Sequence, residues 1–204
     1  MKMYALRINM VVVLFLVAAC TPGAAPTQEA PTVESQPTAG EKFHSLDTRT
    51  GIEAIDFVLT AVESGDPQSL RDLFSYTQTA CMTVNALGGP PACRDGEAEG
   101  TSVEVLPMLG PEGSYLYQDE IGAWPGLNAQ GIYAVFQVSE SAYSDEYYPK
   151  GDYGVILVGK DENAVLQVNG SGIVRIDYIL DLSPEALNAV LERSADELIL
   201  APIE

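Results

Sequence analysis

Acids beside aromatic rings are the residues of this chain that could do chemistry. Asp119-Glu120, Glu140, Asp145-Glu146 and Asp152 fall near Trp124, Tyr143, Tyr147, Tyr148 and Tyr153. Rings that stack on a sugar beside two carboxylates acting as acid and base are the parts of a glycoside hydrolase. The chain carries 29 acids, however, so neighbouring pairs arise without any function, and adjacent residues of a strand point to opposite faces. The separation of two working carboxylates, which defines that chemistry, is not written in the sequence. No residue is assigned a catalytic role. The same region has a second use. Residues 143–153 join two predicted strands by a connection longer than a tight hairpin, and tyrosines offer broad amphipathic contact area at little entropic cost. Trp124, Tyr143, Tyr147 and Tyr148 are therefore the candidate binding residues. The competing reading is that these rings seal a core and keep only a polar tip wet.

Other chemistries lack their parts. A Ser-His-Asp or Cys-His site needs a histidine held on a scaffold, and the single one, His44, is expected at the end of a tether where little would hold its ring. Gly170-Ser171-Gly172 resembles part of a nucleophile elbow, but Asn169 stands where the first glycine belongs and the run lies between strands. There is no phosphate loop, dinucleotide fingerprint, Ser-x-x-Lys or calcium loop, so no cofactor or metal is expected. The net charge of −19 repels nucleic acid and anionic lipid surfaces alike.

Hydrophobic periodicity supplies the elements that must position these residues. Ile52, Ile55, Leu59 and Val62 recur at helical spacing behind Thr50-Gly51-Ile52-Glu53, which has the form of a capping box. Gly65 ends that helix, Asp66-Pro67 restarts helix, and Leu70, Leu73 and Phe74 give it an apolar face, so a helical hairpin is expected. The period then changes. Residues 102–106 and 114–117 read as a strand pair about the turn Gly110-Pro111-Glu112-Gly113, and 132–138, 153–158, 164–168 and 173–179 read as stronger strands. Short turns at Lys160-Asp161-Glu162-Asn163 and Asn169-Gly170-Ser171-Gly172 make the last three an antiparallel meander. Ser183-Pro184-Glu185 opens a final helix carrying Leu187, Val190, Leu191 and Leu198 on one face. The fold class is α+β.

The beginning of the chain is of another kind. Lys2 and Arg7 precede an uninterrupted apolar run over 10–19, the layout of an export signal and short of the roughly 20 residues a membrane span needs. Val17-Ala18-Ala19-Cys20 resembles the lipobox of bacterial lipoproteins. That resemblance implies a bacterial host, cleavage after residue 19, and Cys20 lipidated with a diacylglyceryl group, with acylation such as palmitate at the new N-terminus. Two or three acyl chains hold a protein on a bilayer persistently, so the implied location is the extracytoplasmic face of a membrane. The mature balance is then 8 basic against 29 acidic residues, −21. With Cys20 accounted for, Cys81 and Cys93 remain as an even pair in an oxidising compartment and are read as a disulfide. A structural zinc site wants four Cys or His ligands, more than the pair and His44 provide.

Residues 20–45 are rich in Pro, Thr, Ala and Gln and form the expected disordered tether, leaving 46–204 as one domain. Treated as a flexible coil, the tether reaches on the order of 25 Å. The stretch from Ile55 to Phe74, with its Ser64-Gly65-Asp66-Pro67 joint and a sheet-rich remainder, resembles the start of the cone-shaped domains of the nuclear transport factor 2 and ketosteroid isomerase superfamily. The terminal helix departs from that family's usual strand ending. The resemblance implies a fold used more for binding than for catalysis outside the cytoplasm. The expected protein is a membrane-anchored lipoprotein whose domain is a non-catalytic module for a small molecule, glycan or protein. A carboxylate-dependent glycoside hydrolase and a purely structural envelope protein are the alternatives.

Overall fold

The structure, a computed structural model, describes residues 43–84, 88–110, 114–143 and 148–203. The export signal, Cys20, most of the tether and Tyr147 lie outside the described residues.

Helix α1 (Glu53–Ser64) buries Ile55, Val58, Leu59 and Val62, the stripe its periodicity marks, and ends on Gly65 in the left-handed conformation that favours glycine. Its start differs from the capping box. Ile52 sits at the N-cap without a side-chain cap, and Asp56, a turn further on, accepts from Thr50 N at 2.7 Å, Thr50 Oγ1 at 2.9 Å and Gly51 N at 2.9 Å. Gly51, at φ +81°, turns the backbone so that these donors converge. Burial pushes the Asp56 carboxyl up, but the bonds from Thr50 and Gly51 outweigh it and hold the group below its ordinary range.

Helix α2 (Pro67–Arg71) starts as Asp66-Pro67 predicts, with Asp66 accepting from Gln68 N. It is only five residues long. Leu73 and Phe74, expected on a second helix, instead meet the sheet: the Leu73 carbonyl accepts from Ile173 N at 2.8 Å, and Phe74 bridges to Ile173.

The sheet comprises β1 (Thr77–Ala80), β2 (Ser102–Leu109), β3 (Ser114–Tyr117), β4 (Ala129–Val138), β5 (Tyr153–Gly159), β6 (Asn163–Asn169), β7 (Gly172–Ile179) and β8 (Ala195–Leu200). Its order is β1-β2-β7-β6-β5-β4-β8, with β3 also on β2. The meander through β5, β6 and β7 is antiparallel as expected and takes in β4. One junction is parallel, β2 to β7 through Met108 opposite Ile176 and Leu109 opposite Asp177. Both faces are covered. On one, Ile55, Leu59, Leu106, Ile132, Leu166, Ile176 and Trp124 pack together. On the other, Tyr133, Phe136, Ile156 and Val165 meet Leu187 and Val190 of helix α3 (Pro184–Ser194). Burial on two sides is why β4 to β6 read as nearly continuous apolar runs. Gly154 belongs to this packing, since a Cβ there would lie 2.2 Å from the Phe136 ring.

The end of the chain corrects the predicted final helix. Helix α3 stops at Ser194, and Leu198 lies in β8, opposite Phe136 of β4. His44 is also held, contrary to expectation. Its backbone pairs with Ile132, and its Nε2 lies 2.7 Å from the Ala201 carbonyl, tying the two ends of the described chain together.

Candidate functional site

Two segments and the sheet beside them make an extended polar arrangement among the described residues. In the sheet, Gln167 of β6 stands opposite Arg175 of β7. Asp177, two residues along the same strand, shares that face. Arg175 Nε donates to Asp177 Oδ1 at 2.5 Å, with side chains only 7 and 13% exposed. Gln167 Nε2 donates to Asp177 Oδ2 at 3.1 Å, while Gln167 Oε1 accepts from Gly151 N at 2.9 Å. The Arg175 guanidinium lies 4.6 Å from the centre of the Tyr143 ring and 5.7 Å from that of Tyr148, within the range of a cation–π contact. Burial pushes the Asp177 carboxyl up, and Arg175 and Gln167 only partly offset it. Burial likewise pushes the Tyr143 phenol up, partly offset by its bond with Ser194. Gly151 has no room for a side chain, because a Cβ would lie 2.5 Å from Val168 N.

The second segment is the loop closed by the Cys81–Cys93 disulfide, whose Cα atoms are 4.8 Å apart. The pairing read from the sequence is present. Backbone bonds Met82 N to Pro91 O at 2.9 Å and Cys93 N to Met82 O at 2.8 Å draw the loop's limbs together. Its Gly89 carbonyl accepts from both Tyr115 Oη at 3.0 Å and Tyr148 Oη at 3.2 Å. These two rings stack at 5.4 Å with an interplanar angle of 13°. Tyr117 donates to the Ala92 carbonyl, and Arg94 caps the Tyr117 ring at 4.4 Å.

Arg94 also donates to Glu97 and, in bidentate fashion, to Asp119 at 2.8 Å. Those hydrogen bonds, opposed by a smaller effect of burial, hold both carboxyls below their ordinary values. A groove of about 510 Å³ runs here among Gln78, Arg94, Glu97, Glu104, Tyr117 and Asp119. A separate small cavity of about 130 Å³ lies over Leu157 and Ala164 with Asn128 and Glu162 at its rim.

The sequence-predicted residues divide. Tyr143 is half-buried on Arg175, and Tyr148 is 3% exposed. Trp124 is 4% exposed, donating from Nε1 to Tyr178 Oη at 3.1 Å and meeting Phe74 edge-on at 5.1 Å. Trp124 and Tyr148 therefore offer no free ring face. Both rings are packed inside and each polar atom keeps a partner, which is the core-sealing arrangement of the two readings given for them.

Of the acids singled out in the sequence, Asp145 and Glu146 lie outside the described residues. Asp119 is tied to Arg94 at 2.8 Å and Glu120 lies 3.9 Å from the same guanidinium, while Glu140 and Asp152 are exposed. Asp177 was not singled out in sequence; its signal was the polar pair Arg175 and Asp177 at strand spacing in an apolar run. Among the described residues no group of three or more His, Cys, Asp and Glu is placed to hold a metal ion, and no helix is long and apolar enough to cross a membrane. Compared with known proteins, the chain matches no family model, no curated protein and no solved structure.

Proposed function

We propose that this chain is a lipid-anchored, extracytoplasmic bacterial lipoprotein whose α+β domain is a non-catalytic binding module. The observation that carries the binding reading is the convergence on Gly89. The disulfide loop, Tyr115 of β3 and Tyr148 meet at one carbonyl, and Tyr148 also lies near the buried Arg175, so the loop is held against the sheet. Loops held on a rigid scaffold are where recognition resides. The groove beside them is lined by Glu97, Glu104 and Asp119 together with Arg94, which pairs with two of these acids, so its face is polar and suits a glycan or a protein surface.

Anchoring through Cys20 is supported by the leader's resemblance to a lipobox and by the Cys81–Cys93 disulfide, a bond typical of exported proteins. The cone-shaped superfamily reading is supported by the helix pair that leads into the sheet and by the ending on strand β8, which fits it better than a terminal helix. Hydrolysis has no comparable support among the described residues, where the buried carboxylate Asp177 is bound by Arg175 and Gln167.

Two measurements test the reading. Mass spectrometry of the mature protein should find a diacylated peptide beginning at Cys20, and Cys20→Ala should leave the protein uncleaved and free of lipid; an unmodified mature N-terminus would defeat the anchor. For binding, a photo-crosslinking side chain at Gln78 or Ser102, both on the groove, should capture an envelope component that a probe at Phe57 on helix α1 does not. Equal capture at both places would defeat the assignment of this surface.

A further inference from the structure

We propose that the small cavity at the end of strands β5 and β6 remote from Gly151 is a site for a free apolar α-amino acid, whose side chain rests on the floor while its carboxylate and ammonium are held at the rim. The floor is apolar: Leu157 and Ala164 are 2 and 4% exposed, and Leu127 and Ala129 stand half-buried beside them. The rim is polar. It consists of Asn128 and the turn Lys160-Asp161-Glu162, all exposed. The cavity shares no residue with the groove beside Arg94, so it is a second site and not an extension of the first. Both of its walls are fixed from behind. On the first, the Trp124 carbonyl accepts from Arg71 Nη2 at 2.6 Å and the Trp124 indole donates to Tyr178. Gly126 follows at φ +92°, seated so closely on helix α2 that a Cβ would lie 2.9 Å from Pro67 Cγ, and Ala129 pairs with Gly159. On the second, the buried Asn163 Oδ1 accepts from Gly159 N at 3.2 Å across the turn. A ligand therefore enters between walls that are already ordered, and little of its binding free energy is lost in ordering them.

The rim and the floor together define the ligand. Arg94 and Arg175 are tied to their own acids, whereas the side chains of Asn128, Lys160, Asp161 and Glu162 make no hydrogen bond or ion pair with the described residues and keep their donors and acceptors free. One cation beside two carboxylates at the mouth of an apolar hollow complements a zwitterion with an apolar tail. Lys160 takes the carboxylate, and Asp161 or Glu162 takes the ammonium. A ligand bearing only one charge would satisfy one side of this rim and meet a like charge on the other. Exposed ion pairs contribute little by themselves, so the affinity must come largely from the body that covers Leu157 and Ala164. The volume of about 130 Å³ is slightly less than the roughly 150 Å³ of a cavity that holds benzene, which suits a branched aliphatic side chain and excludes an indole.

Calorimetric titration of the full chain with L-leucine, combined with amide chemical-shift mapping, tests the site. L-leucine should bind saturably at millimolar concentrations and shift amides at 125–129 and 157–164, leaving those of the groove at 102–104 unmoved. Glycine, which has no body for the floor, should show no saturable binding. Isoamylamine, which lacks the carboxylate, and isocaproate, which lacks the ammonium, should each bind about tenfold more weakly than L-leucine, the loss that one charge-assisted hydrogen bond corresponds to. Lys160→Glu should weaken L-leucine by about the same factor and leave Tm unchanged, because Lys160 is exposed and bonds to none of the described residues. No binding of L-leucine, equal binding of glycine or of either singly charged analogue, shifts centred outside the two segments, or an unaltered affinity in Lys160→Glu would each overturn the proposal.

Discussion

Two arginines in this molecule are built from the same groups and do different work. Arg94 lies 4.4 Å over the Tyr117 ring and reaches Asp119 at 2.8 Å. Arg175 lies 4.6 Å over the Tyr143 ring and reaches Asp177 at 2.5 Å. What separates them is water: the Arg94 side chain is 38% exposed and that of Arg175 is 7%. In water an ion pair replaces hydration it would have had anyway and contributes little. Out of water each charge depends on its partner, and removing one strands the other. The Arg94 cluster is a surface feature that can change at small cost; the Arg175 cluster is part of the architecture.

The largest expected effect breaks the buried member. Arg175→Ala leaves Asp177 without its cation and should cost about 4 kcal/mol, lowering Tm by about 10 °C in a domain of this size. Arg175→Met combined with Asp177→Leu should recover most of that loss in urea denaturation, because a well-packed apolar pair replaces the ions. Arg94→Ala should leave Tm nearly unchanged. If it matches Arg175→Ala, exposure does not rank the two clusters.

The disulfide comes next. Cys81→Ser with Cys93→Ser should lower unfolding free energy by about 3 kcal/mol, following the loop-closure entropy of a ring of about a dozen residues. The loss should be read under non-reducing conditions and should vanish when both proteins are fully reduced. Smaller again is Tyr148→Phe, which removes one hydroxyl from the Gly89 carbonyl and should cost about 1 kcal/mol. Tyr148→Ala, which empties a buried ring site, should cost about 3 kcal/mol or more.

How much of this was legible depends on whether a signal was local. Helix α1 was, because Ile55, Leu59 and Val62 repeat at the helical period, and the meander was, because its turns are short and its strands apolar. Strand β1 was not: Thr77-Gln78-Thr79-Ala80 has no strongly apolar side, and it is strand only because β2 pairs with it. Leu198 fits a helical stripe on paper, yet the bonds offered by the edge of β4 decide for strand. The Arg175 cluster draws Gln167, Tyr143 and Gly151 from three separate segments, so it needs a register no sequence pattern states. Gly89 acts through its carbonyl, which every residue has, and leaves no side-chain signature at all.

The smallest predicted effect is also the sharpest comparison, because the two clusters should respond to pH with opposite signs. Hydrogen bonds from Arg94 hold the Asp119 carboxyl below its ordinary value of 3.8 in the folded chain. Its stabilisation is therefore complete above pH 3.8 and is lost as pH falls through the folded value. Burial raises Asp177 above the same ordinary value of 3.8. As pH climbs past that point the unfolded chain ionises first, so Asp177 lowers stability progressively until its folded form ionises too. Urea titrations at a series of pH values, comparing wild type with Asp119→Asn and with Asp177→Asn, isolate the two contributions. The wild-type advantage over Asp119→Asn should grow with pH and level off by 3.8, while its standing against Asp177→Asn should decline from there upward. A rising curve for Asp177 would mean that Arg175 outweighs burial, and the two clusters would then differ in degree and not in kind.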